Sequence, residues 1–153
     1  MAYIKGRHLN PERGEGYHGS FLGIAGEAIA ENDIVVASGY SGDQIKFSLA
    51  TSDVAGRQQG IMGVAKHAAS ADETVVILSH KLVKDVDTSS ATAVGYPVYL
   101  DDANDNTGGW IIAEQPNAIV VGQVLAKDAS AGAVLLAPSK IVVGIDGDGD
   151  PVP

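Results

Sequence analysis

The stretch IMGVAKHAASADETVVIL, residues 61–78, reads as strand, turn, strand. Ile61, Met62, Val64 and Ala65 set apolar side chains around Gly63. The small, polar turn AASADET follows, and Val75-Val76-Ile77-Leu78 makes a second apolar run. Short β-branched runs bounded by turn formers are the signature of paired strands.

The same order returns at residues 120–136, VVGQVLAKDASAGAVLL. Gly63 precedes Val75 by 12 residues, and Gly122 precedes Val134 by 12. Each block runs apolar, glycine, apolar, then lysine, an Ala-Ser turn and a closing apolar run. One offset of 59 residues carries the first block onto the second. A fixed offset between like segments predicts a duplicated β-unit. In that frame Gly63 and Gly122 are bend or close-packing positions of a scaffold.

The composition agrees. A chain of 153 residues fits one domain, which buries about 68–70% of its unfolded surface without staples. Cysteine is absent, which excludes disulfides, thiolate nucleophiles and Cys-ligated zinc. Nineteen glycines and only 5% aromatics suit many short strands and tight turns. The fold class expected is all-β: a small β-barrel or sandwich, β-tulip-like, built from two related halves with an extended N-terminal arm. The apolar runs are short and broken by glycine or charge, so no membrane-spanning segment is expected. The start, MAYIKGRHLNPERGEG, lacks the apolar core of a signal peptide.

The net charge is −9, and an acidic surface repels phosphate backbones, so no nucleic-acid partner is expected. The charge is uneven. Lys5, Arg7 and Arg13 against Glu12 and Glu15 leave residues 1–20 at +1, so the remainder carries −10. Gly6, Pro11, Gly14, Gly16 and Gly19 break regular structure there. Three regions are expected: an arm over 1–20, a β-body over 21–143 and an acidic tail over 144–153.

Within the body, Ile34–Ala37 forms a strand after the turn Glu31-Asn32-Asp33. Gly39–Asp43 is a turn, and Ile45–Leu49 alternates with period two. Thr51–Gln59 is a loop in which Ser52-Asp53 could start one helical turn. Lys81–Asp87 follows, and the second half is expected to start at Ala91. In ATAVGYPVYLDD, Gly95-Tyr96-Pro97 stands where Glu31-Asn32-Asp33 stood. Pro97 lacks an N–H, so its strand starts there or lies at an edge. Asp101–Gly109 reads as a hairpin loop leading to a strand over Trp110–Ala113. Ile141–Val143 is a last strand candidate.

No constellation for chemistry emerges. Asp146, Asp148 and Asp150 begin a D-x-D-x-D pattern, but the sequence supplies no glutamate at loop position 12. Asp101, Asp102, Asn104 and Asp105 are explained as turn formers. His8, His18, His67 and His80 show no metal-ligand spacing. G-x-S-x-G, phosphate-loop and dinucleotide fingerprints are missing. The expectation is therefore no enzyme, no cofactor and no metal, although composition alone never excludes a Ser–His–Asp hydrolase. Tyr96, Tyr99 and Trp110 flank one loop. They either pair across a hairpin or form a glycan- or host-surface-binding cluster.

The repeated module is a small-residue lead, a turn, a V-V-A or V-Y strand, a variable loop, then (I/V)-x-G-(V/Q)-(A/V) and a turn before V-x-(I/L)-L. It spans Glu27–Ala37 with Ile61–Leu82, and Ala91–Leu100 with Val120–Leu136. This module resembles the capsid decoration, or cement, proteins of tailed bacteriophages, of the phage lambda head-decoration type. The resemblance implies a homotrimer on the outer capsid surface of the virion, made in the host cytoplasm. It implies the major capsid protein as partner and a stabilised shell. It also implies an N-terminal arm in the capsid contact. In this sequence that arm offers Tyr3, Ile4, Lys5 and Arg7.

Overall fold

The computed structural model describes residues 19–51, 61–101, 108–113 and 119–138, with the short strands Gly144–Ile145 and Pro151–Val152. Ten strands form two sheets: β1 (Ser20–Ala25), β2 (Ile34–Ser41), β3 (Gln44–Leu49), β4 (Ile61–Ala65), β5 (Thr74–Leu78), β6 (Lys81–Val86), β7 (Pro97–Leu100), β8 (Trp110–Ile111), β9 (Val120–Ala126) and β10 (Gly132–Leu136). The two terminal strands, β11 (Gly144–Ile145) and β12 (Pro151–Val152), pair with each other, Ile145 opposite Pro151. The described residues contain no helix, and the fold is all-β, as expected.

The first half is a closed barrel in the order β1-β3-β2-β4-β5. The closing pair β1–β3 is parallel, Ile24 opposite Lys46 and Ala25 opposite Phe47. All other barrel pairs are antiparallel. Five strands leave a narrow interior, which alternating large and small side chains must fill. Phe47 takes the centre, fully buried with Val35, Val75 and Ile77, while Ala25 and Ala65 fill the tight places. Gly23 lies under the Phe47 ring. A Cβ there would collide with the ring and sit 2.6 Å from the Ile45 carbonyl oxygen. The alanine and glycine of the composition are the residues that allow this closure.

The second half is a five-stranded sheet, β6-β10-β9-β7-β8; it begins with β6 at Lys81 and not at Ala91 as expected, because β6 pairs with β10. Read from β1, the barrel runs β1-β5-β4-β2-β3, so the two sheets repeat one strand order. The repeat extends to register. Val35 pairs with Gly63 and Val36 with Ile61, with a bulge between them. Val98 pairs with Gly122 and Tyr99 with Val120, again with a bulge between. The preceding turns also match. Asn32 (φ 72) and Gly95 (φ 87) both take the left-handed conformation. Asn32 N donates to Ala65 O at 2.9 Å, and Gly95 N donates to Val124 O at 2.7 Å. Ala65 N donates back to Asp33 O, and Val124 N back to Tyr96 O, both at 2.8 Å. The strand–turn–strand unit of residues 61–78 is thus one copy of a unit that the chain builds twice.

The copies differ in the last pair. Val64 faces Leu78, whereas its counterpart Gln123 faces Leu135 and not Ala137. A two-residue slide keeps every side chain on its face. They differ also in closure. β3 has six residues and reaches β1, but β8 has two, and among the described residues β6 pairs with β10 alone. The open sheet completes its core on the barrel. Ile34, Ala50 and Val64, on the barrel's outer surface, pack with Val83, Val98, Leu100, Val121, Val124, Val134 and Leu136. Burying an aliphatic side chain of this size contributes about 1.5–3 kcal/mol. Ile34 and Val64 thus contribute several kcal/mol, as an order of magnitude, to the contact between the halves. Gly108 adds a staple: its carbonyl accepts Ile34 N at 2.7 Å.

Candidate docking surface

Tyr3, Ile4, Lys5 and Arg7 lie outside the described residues. The structure does show where the arm joins the body. Gly19 has φ 79, and its carbonyl accepts Ser79 N at 2.6 Å. The positive φ favours glycine at this position, and a Cβ there would also collide with the Ser79 hydroxyl. Ser20, expected as the end of the arm, instead starts β1, paired with Leu78, so the arm's share is residues 1–18.

The same end of the barrel carries the β2–β3 hairpin. Ile24 and Lys46 are parallel partners, so four residues back along each strand Ser20 lies level with Gly42. Gly42 and Asp43 form a two-residue turn between Ser41 and Gln44. Gly42 has φ 65, the positive value that the first position of such a turn needs. The region Gly39–Asp43, expected as a turn, is mostly strand, because Gly39, Tyr40 and Ser41 continue the ladder with Lys46, Ile45 and Gln44. Ser38 is the bulged residue. Its hydroxyl donates to Lys46 O at 3.3 Å and accepts from Ser48 at 2.9 Å. Beyond that bulge the hairpin leaves the barrel wall, and Ala37–Ser41 are all exposed. Tyr40 is 77% and Ile45 37% exposed.

Polar side chains elsewhere mostly fasten turns. Asp87 accepts from the Ser89 hydroxyl at 2.6 Å and Ser89 N at 2.9 Å. These bonds hold its carboxyl below the usual range, with burial and the Asp128 charge opposing. Asp128 is lowered by Ser130 N, Ala131 N and the Ser130 hydroxyl, with burial opposing. The buried Thr88 hydroxyl ties the two turns together. It donates toward Ala126 O (2.8 Å) and Asp128 O (3.1 Å) and accepts Asp128 N at 2.9 Å. Burial raises Asp33, against the lowering effect of its bond from Ala30 N. Lys81 meets Glu31 at 2.9 Å across the two halves. His67 accepts Val76 N on Nε2 at 3.2 Å and faces Ala68 O through Nδ1, which is the work of a turn brace. Among the described residues no three His, Asp or Glu side chains gather as a metal set.

Tyr96, Tyr99 and Trp110 do not form an exposed platform. Tyr99 is buried, and Tyr96 and Trp110 pack against the shared core. Pro97 is the first residue of β7, and β7–β8 is the expected hairpin, although β8 stops at Ile111. Ser52-Asp53, Ile141–Val143 and Asp146–Asp150 lie outside the described residues.

No protein-family model matches the chain, and no curated protein does. Among solved structures, the chain is similar to the N base of head fiber gp8.5 in bacteriophage phi29. The TM-score is 0.48 at 17% identity, covering 80% of this chain and 96% of that one.

Proposed function

We propose that this chain is a structural virion protein of the capsid-decoration kind. It binds the outer surface of an icosahedral phage head through residues 1–18 and stabilises the shell against the pressure of packaged DNA. It acts as a homotrimer whose partner is the major capsid protein. The observation that carries this reading is the register-level duplication. The residues on which the resemblance rests, around Val35–Gly63 and Val98–Gly122, fold twice into the same bulged pair.

A cement protein needs a rigid body, a partner-binding segment and a soluble outward face. The body here is a two-layer β-core with a shared apolar centre. The arm's net +1, against −10 for the rest of the chain, gives it a partner surface of its own. Many weak copies clamped across shell subunits resist pressure together through avidity.

The test is cosedimentation with expanded heads from the virus whose genome encodes the chain. The full chain is expected to bind and to raise the temperature at which heads release DNA. A protein lacking Met1–Arg13 is expected to stay folded and lose binding. Undiminished binding by the truncated protein would remove the arm from the contact, and no binding by the full chain would remove the virion role.

A further inference from the structure

The arm leaves the barrel beside apolar surface that the barrel core does not use. Leu49 and Phe47 point into the barrel. Ile45 continues their alternation and emerges beyond the barrel mouth, with Tyr40 directly opposite it. Tyr40 is flanked by the small, uncharged Gly39, Ser41 and Gly42, with Asp43 the one charged residue of the turn, and neither Gly39 nor Gly42 has anything within 4 Å of its Cβ position. A tyrosine set among serine and glycine is the chemistry of protein-recognition loops. The ring supplies a large contact area at low entropy cost, and its small neighbours permit close approach. The aliphatic Ile45 beside the ring suits a protein pocket better than a sugar, which needs convergent polar groups. As a cross-strand pair Tyr40 and Ile45 contribute at most about 0.2–1 kcal/mol to the hairpin, little for so much apolar surface left in water.

Position selects the occupant. Eighteen residues precede Gly19, and Gly19 itself lies at the end of the barrel from which the hairpin projects. We infer that the β2–β3 hairpin, through Tyr40 and Ile45, is a second docking element for the same protein partner that receives residues 1–18. The partner surface has an apolar pocket that takes the Tyr40 ring and Ile45. The inference rests on the virion reading above. Because the hairpin is fixed beside the arm's point of exit, engagement of one element raises the effective concentration of the other.

The test uses heads assembled without this chain, from the virus that encodes it. Four proteins are compared: the full chain, Tyr40→Ala with Ile45→Ser, the truncation lacking Met1–Arg13, and the combination. Tyr40→Lys alone is a second hairpin variant should the pair alter unfolding. The hairpin variants are expected to keep the wild-type unfolding temperature and bind at least about tenfold more weakly, as loss of a tyrosine anchor does. Full-strength binding by the hairpin variants, with binding lost on truncation, would overturn the hairpin's role and leave the virion role standing. Failure of the full chain to bind heads would overturn both. A shift from oligomer to monomer in the hairpin variants, with head binding unchanged, would assign the surface to a second copy. Amide protection of the hairpin in the free chain, lost on truncation, would assign it to the arm itself. Either of these last two results also overturns the inference.

Discussion

Gly63 and Gly122 occupy the same place in the two copies, and a methyl group at either should do comparable damage. At Gly122 an added Cβ would collide with the Leu135 carbonyl oxygen and lie 3.1 Å from both Leu135 C and Leu136 Cα. At Gly63 it would collide with the Leu78 carbonyl oxygen and meet Ile77 Cγ2 at 2.9 Å. The first obstacles are backbone atoms of a paired strand, which no rotamer change can move aside. Relief requires the strands to part by roughly an ångström, weakening the Gly122–Leu136 part of the ladder. Overpacking of this kind costs about 1–3 kcal/mol. With hydrogen bonds of about 1 kcal/mol each also strained, we expect about 2–4 kcal/mol for Gly63→Ala and the same for Gly122→Ala. In a body of this size that lowers Tm by about 5–15 °C. Urea and thermal unfolding, followed by Trp110 fluorescence, measure both variants. Values for both within about 0.5 kcal/mol of wild type would refute the close-packing role. A large cost for one and none for the other would refute the equivalence of the copies.

Three further outcomes are expected. Thr88→Val keeps the shape and the bond from its own N–H to Asp128 O, but it strands Asp128 N beside a buried methyl and removes the hydroxyl's bond to Ala126 O, and should cost about 1–3 kcal/mol in urea unfolding. Gly108→Ala forces a methyl into φ 61 and within 2.7 Å of Leu49 Cδ2, so it should loosen the staple between the halves. Amide exchange is expected to quicken at Ile34 before it does elsewhere in β2. The acid limb of stability should depend on Asp87 and Asp128. Their folded values lie below the ordinary 3.8, so their contribution is present above about pH 4 and is lost as pH falls through the folded values. Replacing both with Asn should flatten the urea midpoint below pH 4. Asp33, raised by burial, acts oppositely: its contribution is largest at low pH and is lost as pH rises through its folded value.

The duplicated unit was legible because it rests on local rules. Gly63 and Gly122 sit in strands where the facing carbonyl leaves no room for a side chain, Asn32 and Gly95 take positive φ, and the β-branched runs between turns became β2, β4, β5, β7, β9 and β10. Closure was not legible. It depends on a parallel β1–β3 contact between residues 22 positions apart and on Gly23 fitting under Phe47, and neither leaves a periodic trace. The projecting hairpin was hidden for a related reason. Gly39-Tyr40-Ser41-Gly42 has turn composition, and only pairing with Ile45 and Gln44 makes it strand. Tyr96, Tyr99 and Trp110 were visible as a cluster, but burial against the shared core depends on how the halves pack.

Electron microscopy of expanded heads, with and without the purified chain, tests the central claim most directly. Binding as a decoration protein predicts added density on the outer surface at symmetry-related positions. The arm side of the barrel, marked by the Tyr40–Ile45 hairpin, should face the shell. Heads whose outer surface is unchanged at saturating protein would contradict it.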